Sequence, residues 1–306
     1  MIDVRRPLDA RAAAAMVLLC AFWGFQQIAV KLTVIDVPLM TQAALRSTFA
    51  AACLLLWAFA RRIPLFNRDG TLWPGILAGV AFAGEFAFIY AGLWYTSAAR
   101  MIVFLYLGPC LTALGLSLFV PGERLRAAQW VGIAVAFAGI TVAFSDGLSA
   151  STRSMLIGDA MGVLAAAFWA ATTVLIRATG LTRISATKVL FYQLAVSALL
   201  LAPLAFVMDA GLPIRWTPLA VASIAFQAAV VAFASYLVWF WLLTKYLAGR
   251  LAVFAFLTPL YGVAFGWTFL NDHVSPALLG ATALVGAGIA LVNLPPGLLS
   301  KPRTDR

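Results

Sequence analysis

Charge is scarce in this chain: Asp, Glu, Lys and Arg make up only 10% of its 306 residues, against about a quarter of a soluble domain. So few charges cannot clothe a water-facing surface. There is one histidine, His273, and there are three cysteines, Cys20, Cys53 and Cys110, each alone in its own apolar run. Without paired spacing or a Cys/His cluster, neither a disulfide framework nor a metal site is expected. No constellation of catalytic acids, bases or nucleophiles surrounds the histidine, so no enzyme, no catalytic residue and no cofactor is expected. A phosphate-cradling glycine loop is also missing, which leaves direct ATP driving without support.

What fills the sequence instead is apolar: 64% of the residues are hydrophobic and the mean hydropathy is +0.99. Such a composition suits lipid as a solvent. A hydrocarbon layer of ~30 Å can be crossed only by helices or closed barrels, because every backbone group must be satisfied internally. Continuous runs without strand-like alternation select helices. Ten runs stand out, at 13–31, 39–60, 73–94, 101–120, 127–144, 157–176, 187–208, 218–243, 250–270 and 277–294. The expected fold is therefore an all-α polytopic membrane protein with ten transmembrane helices and short connections. Arg5 and Arg6 precede the first run, which continues into Gln26, Gln27 and Lys31 where a signal peptide would place a small-residue cleavage site. An uncleaved first span is expected.

Net charge is +10, and its placement decides its meaning. Assigned to alternate sides, residues 1–12, 61–72, 121–126, 177–188, 245–250 and 295–306 hold 16 of the 21 Lys and Arg. The opposite side has only Lys31, Arg100, Arg153 and Arg215, while Arg46 lies within a run. This asymmetry follows the positive-inside rule and predicts both termini in the cytoplasm of a multi-pass plasma-membrane protein, the inner membrane in a Gram-negative cell. A nucleic-acid partner would need an exposed basic patch with stacking aromatics, and none is expected. The partners expected are the lipid bilayer and a small molecule.

Internal similarity gives the organisation. The stretch "AFWGFQQIAVK" (21–31) matches "AFWAATTVLIR" (167–177), Arg100 and Pro109 match Arg250 and Pro259, and "PGERL" (121–125) falls on "LNDHV" (270–274). Two units follow, 12–145 and 156–294, each with five spans. Five is odd, so the second unit enters the membrane from the opposite side. Inverted repeats can open a midplane cavity first to one face and then to the other, the architecture of alternating-access transporters.

The segments "GEFAFIYAGLWYTSAARMIVFLYLGPCLTALGLSLFVPGERL" and "SYLVWFWLLTKYLAGRLAVFAFLTPLYGVAFGWTFLNDHV" both resemble the EamA repeat of the drug/metabolite transporter superfamily. Each contributes an apolar span, a turn of small residues, a span containing Pro and an acid before the last helix: Glu123 in the first copy, the shorter Asp272 in the second. The resemblance implies ten helices, cytoplasmic ends and export of small metabolites. "GPCLT" (108–112), Glu85, "AFWAA" (167–171), Tyr236 and Trp239 are most similar to the YddG-type exporters of aromatic and other amino acids.

Helical spacing sorts the candidate cavity residues. Trp23, Gln26 and Gln27 share one face of span one; Trp169, Thr172 and Thr173 share the matching face of span six. Their polar groups suit either a cavity wall or bonds between packed helices. Glu85 is the one carboxylate expected deep in a span, where a charge costs ~2.5 kcal/mol or more, and Arg46 is its natural candidate partner. Glu85 could couple transport to protons, hold a substrate ammonium, or serve as a neutral or paired structural group. Tyr236 and Trp239 offer an aromatic face on span eight. Tyr106 and Phe256 stand three residues before Pro109 and Pro259, and the two prolines are candidate hinges because each removes a helical donor.

Trp73, Trp94, Trp130 and Trp216 are expected at the membrane interfaces, and Arg100 and Arg250 are expected as interface anchors. Gly75 with Gly79, and Gly262 with Gly266, have helix-packing spacing. The expected function is alternating-access export of amino acids, aromatic ones among them. The alternatives are export of drugs or other hydrophobic metabolites, or a receptor or scaffold without transport.

Overall fold

A computed structural model describes residues 9–120, 123–150, 153–246, 251 and 253–293. Arg250, Pro121, Gly122 and the basic C-terminal segment fall outside the described residues. The described chain is helical: α1 (Ala10–Leu32), α2 (Leu39–Ala60), α3 (Leu72–Gly92), α4 (Ala98–Leu105), α5 (Gly108–Phe119), α6 (Ala127–Ala150), α7 (Arg153–Ala178) and α8 (Ala186–Met208). Then come α9 (Pro218–Ala225), a π-helical segment (Phe226–Ser235), α10 (Tyr236–Lys245), a 3₁₀ turn (Val253–Phe256), α11 (Leu257–Leu270) and α12 (Pro276–Val292). Taking α4 with α5, and α9 through Leu243, as single runs, eight helices among the described residues are long and apolar enough to cross a membrane; Phe254–Leu270 and Pro276–Val292 are shorter.

Local chemistry fixes where the helices start. Asp9, Ser97, Ser185, Thr217 and Ser275 each accept a bond from the backbone N–H three residues on, satisfying a donor that the first turn leaves open. The two prolines break their runs at matched places. Pro109 is the second residue of α5, and α4 ends at Leu105 with Tyr106 as its cap. In the other run Phe256 closes the 3₁₀ turn and caps α11, where Pro259 is buried. Proline suits these first-turn positions because the helix needs no donor there.

Small residues set the packing. A Cβ on Gly79 of α3 would lie 2.7 Å from the Tyr192 carbonyl of α8, and one on Gly262 of α11 would lie 2.5 Å from Ile102 of α4. α6 runs against α12 through Gly132 beside the Gly288 carbonyl and Gly139 beside the Ala281 carbonyl. α2 meets α8 where the buried hydroxyls of Ser47 and Ser197 share a 3.0 Å bond, about halfway along both helices. Trp73, Trp94, Trp130 and Trp216 are exposed.

Polar bonds gather at the two ends of the bundle. At the end poor in basic residues, Asp209 accepts from the Thr41 backbone and hydroxyl, Asp36 from Thr217, and Asp272 from the Ala99 N–H. At the basic-rich end, Lys188 donates to Asp69 at 2.8 Å, Arg177 to Glu123 at 3.0 Å, and Tyr246 to Asp9 at 2.7 Å. The Lys188 and Thr71 bonds hold the Asp69 carboxyl well below the usual carboxylate range.

The close α3–α8 approach predicts that Gly79→Ala lowers stability by about 1–3 kcal/mol through overpacking. Gly280→Ala, with nothing within 4 Å of its new methyl, serves as the control and should be neutral or slightly stabilising. Thermal unfolding in detergent measures both.

Candidate functional site

The candidate site is built where α1, α2, α3 and the span containing the π-helix converge. The ten-residue π segment carries one residue per turn more than an α-helix would, and it ends at Ser235, immediately before Tyr236. Widened turns of this kind re-aim side chains and often occur at functional sites. Here Ser235 accepts a 2.9 Å bond from the Trp23 indole Nε1 and donates to the Val231 carbonyl. Trp23 then stands 6.5 Å from Tyr236 and 6.1 Å edge-on to Trp239, between ring centroids. Three half-buried aromatic rings from two helices thus form one wall.

Behind that wall lies the charged part. Arg46 on α2 is fully buried, one residue before the midway Ser47–Ser197 contact, with its guanidinium carbon 3.7 Å from the centre of the Phe86 ring and 6.0 Å from that of Phe82. Glu85 on α3 is 7% exposed and within electrostatic reach of Arg46, Tyr106 and Tyr236. The Glu85–Arg46 partnership expected from the sequence is therefore one of proximity. The Arg46 nitrogens make no hydrogen bond, and the ring of the residue after Glu85 covers the cation.

Toward the basic-poor end the same helices are tied by neutral groups. Tyr90 donates to Gln227, and Gln227 donates in turn to Gln42 at 2.9 Å and to Ser223 at 3.0 Å. Ser223 donates to the Ala29 carbonyl at 2.7 Å. Each of Gln42, Tyr90 and Gln227 is fully buried. Sequence reasoning missed this network; its signal was the amides at Gln42 and Gln227 within apolar runs.

The other candidates are placed unevenly. Tyr106 packs edge-on to Trp169 at 5.3 Å, and Trp169 rests so close to Gly108 that a Cβ there would sit 2.6 Å from the indole. Thr172 and Thr173 donate to the Phe168 and Trp169 carbonyls one turn back, so their hydroxyl protons are used within α7. Gln26 and Gln27 are buried, and the Gln27 Oε1 accepts no hydrogen bond. Phe256 is half-buried beside Gly286. Pro109 borders a cavity of about 190 Å³ with Glu123 and Gln129, and a second, of about 340 Å³, lies between Pro38, Trp94 and Asp209. Neither is lined by the Trp23–Glu85–Arg46 group.

A family model described as the EamA-like transporter family matches residues 10–145 and again 156–294. The chain belongs to the EamA-like transporter family. A family relative named an uncharacterized transporter YoaV, from Bacillus subtilis, is 22% identical over 87% of this chain and 91% of its own. A protein named a probable amino-acid metabolite efflux pump, from Salmonella typhimurium, is 24% identical over 89% and 91%. One crystal structure superposes with a TM-score of 0.65 at 21% identity, covering 92% of this chain and 97% of that one; the likeness concerns the fold alone.

One expectation needs correction within this family member. Arg100 is no interface anchor: it is 4% exposed, donates to both carboxylate oxygens of Asp159 and to the Ala143 carbonyl, and its partner is fully buried. Thr96 completes the Asp159 shell at 2.7 Å. A second carboxylate, that of Asp159, is thus buried as well as Glu85's, though near the start of its run and not deep in it. Asp159 escaped notice because it stands near the start of its run, where a carboxylate ordinarily reaches water.

Removing one member of a buried pair strands the other, at a cost of about 3–5 kcal/mol. Arg100→Met should lose stability on that scale in thermal unfolding, and Asp159→Asn added to it should recover part of the loss.

Proposed function

We propose that this protein exports amino acids, aromatic ones among them, by alternating access, and that its ten helices form two inverted five-helix repeats, 12–145 and 156–294. Both termini are then cytoplasmic, in a plasma membrane, and the closest functional likeness is to the YddG-type exporters. The observation that carries this reading is the Trp23–Tyr236–Trp239 wall set against Arg46 and Glu85 near mid-depth. An aromatic side chain can stack on the wall, while a zwitterionic backbone finds one cation and one carboxylate beside it. The name borne by the Salmonella relative agrees with that substrate class.

Paired contacts support the inverted arrangement. Ser47 and Ser197 stand 150 positions apart in the chain and bond to each other, as equivalents on a two-fold axis would. Gly132 beside Gly288 and Gly139 beside Ala281 exchange under an offset of 149. Thr96 on Asp159 has its counterpart, 150 residues away, in Tyr246 on Asp9. The two ends nevertheless differ in accessibility. Arg100 and Asp159 are 4% and 0% exposed, whereas Arg177 and Glu123 at the opposite end are 54% and 39% exposed. At that pair the cytoplasmic end is the more open, which fits a carrier that loads from the cytoplasm, while Lys188, 2% exposed on Asp69, ties the same end from within. Breaks before Pro109 and Pro259 give each half a place to flex.

Counterflow in proteoliposomes tests the reading, using aromatic, small polar and charged amino acids together with a cationic drug. Uptake of aromatic amino acids is expected; drug uptake without any amino-acid uptake would replace this function with drug export. Trp239→Ala should then slow aromatic substrates at least several-fold more than small ones, and equal losses would take that indole out of the binding wall. Glu85→Gln should alter the pH profile of transport; an unchanged rate, affinity and profile would remove Glu85 from the mechanism.

A further inference from the structure

A guanidinium is a demanding group to bury. It carries five N–H donors, each costly when left without an acceptor, in addition to the cost of withdrawing the charge from water. Buried cations in this molecule meet that demand in full elsewhere. Arg100 has both oxygens of Asp159 and a backbone carbonyl, and Lys188 has Asp69 and two acceptors from Asn67.

Arg46 does not. Its Nε and both terminal nitrogens are buried with no acceptor in hydrogen-bond geometry; the Tyr236 hydroxyl stands close by as a neutral neighbour, and Glu85 feels the charge without bonding to it. What it has is the face of Phe86, which attracts the cation through its ring and leaves the N–H fork without a carboxylate. A planar fork held against a ring, with its edge unpaired, has the shape that receives a carboxylate through two parallel bonds. Thiol, hydroxyl and amide groups cannot match that fork with charge as well as geometry.

We infer that Arg46 is the carboxylate-recognition residue of the transport site: its guanidinium takes the free carboxylate of an α-amino acid, restricting export to substrates that keep that group. This rests on the amino-acid reading above and adds to it a rule of selection. Glu85, within electrostatic reach of Arg46, receives the substrate ammonium, and the aromatic wall takes the side chain. An amine or amide with the same side chain would leave the fork empty, and a site with a buried unpaired charge rejects such an analogue strongly.

The test uses the full-length protein in proteoliposomes, with labelled L-phenylalanine, L-phenylalanine amide and phenylethylamine as three separate substrates. Wild type should carry phenylalanine at least tenfold faster than either analogue, and Arg46→Gln should bring that ratio close to one. Arg46→Lys should retain the preference with weaker apparent affinity, since it keeps the charge and loses the fork. Thermal unfolding of the empty protein supplies a readout that a structural role would move the other way. Arg46→Gln should unfold no lower than wild type, because the group it removes is unsatisfied until a ligand arrives. If the variant fails to fold, the inference is overturned outright.

A second measurement needs no variant: phenylalanine should raise the wild-type unfolding temperature, and its amide at equal concentration should not. Equal carriage of acid and amide by wild type, or an unchanged ratio in a folded Arg46→Gln protein, would overturn the carboxylate role while leaving amino-acid export standing. Carriage of no amino acid at all by wild type would instead bring down the parent reading.

Discussion

Inside a hydrocarbon layer every polar group must find its partner within the protein, and this constraint organises the whole chain. It explains why the polar contacts form closed sets: Tyr90 through Gln227 to Gln42 and Ser223, Thr96 and Arg100 on Asp159, Ser47 on Ser197. Each set joins helices that are distant in sequence, so each also fixes which helices are neighbours. The glycines do the complementary work. A missing Cβ lets backbone approach backbone, as between α6 and α12, which a bond from Gln129 to the Val292 carbonyl also joins at one end. Against this background the unpaired fork of Arg46 is a conspicuous departure among the described residues, and it stands beside the aromatic wall.

Rigid closure at both ends would be incompatible with passage, and the two ends are not built alike. The end poor in basic residues is fastened by bonds withdrawn from water, Arg100 to Asp159 above all. Its opposite combines an ion pair open to solvent, Arg177 with Glu123, which is worth little, with the buried Lys188 on Asp69. The two family repeats therefore meet through fastenings that differ from one end to the other. The π-helical segment between Phe226 and Ser235 has no equivalent in α3, so these two spans are not copies of one another. Asymmetry of that kind lets one half supply the acid, Glu85, and the other the rings of Tyr236 and Trp239.

Much of this was legible in the sequence because lipid imposes coarse rules. Apolar run length marked the helices, and Pro109 and Pro259 marked the breaks in the fourth and ninth runs. Helical spacing put Trp23 on one face of the first run and Tyr236 with Trp239 on one face of the eighth; that these faces meet is a matter of packing. What stayed hidden depended on which helices touch. Arg100 and Asp159 are 59 residues apart, and only the packing of α4 on α7 brings them together. The π turns of the eighth run contain no proline to announce them; tertiary contacts select that bond pattern. Thr172 and Thr173 illustrate a further limit, since a hydroxyl on a helix can always bond the carbonyl four residues back, and sequence does not say whether it will.

The central claim is that two related halves open the bundle at one end as they close it at the other. Pulsed electron-paramagnetic-resonance distances between spin labels measure this directly, with one pair at Trp94 and Trp216 on the basic-poor end and one at Arg11 and Arg183 on the basic-rich end, all exposed positions. On adding an aromatic amino acid to protein in lipid nanodiscs, the two distances should shift in opposite senses. Distances that stay fixed at both ends, or that move in the same sense, would contradict the account.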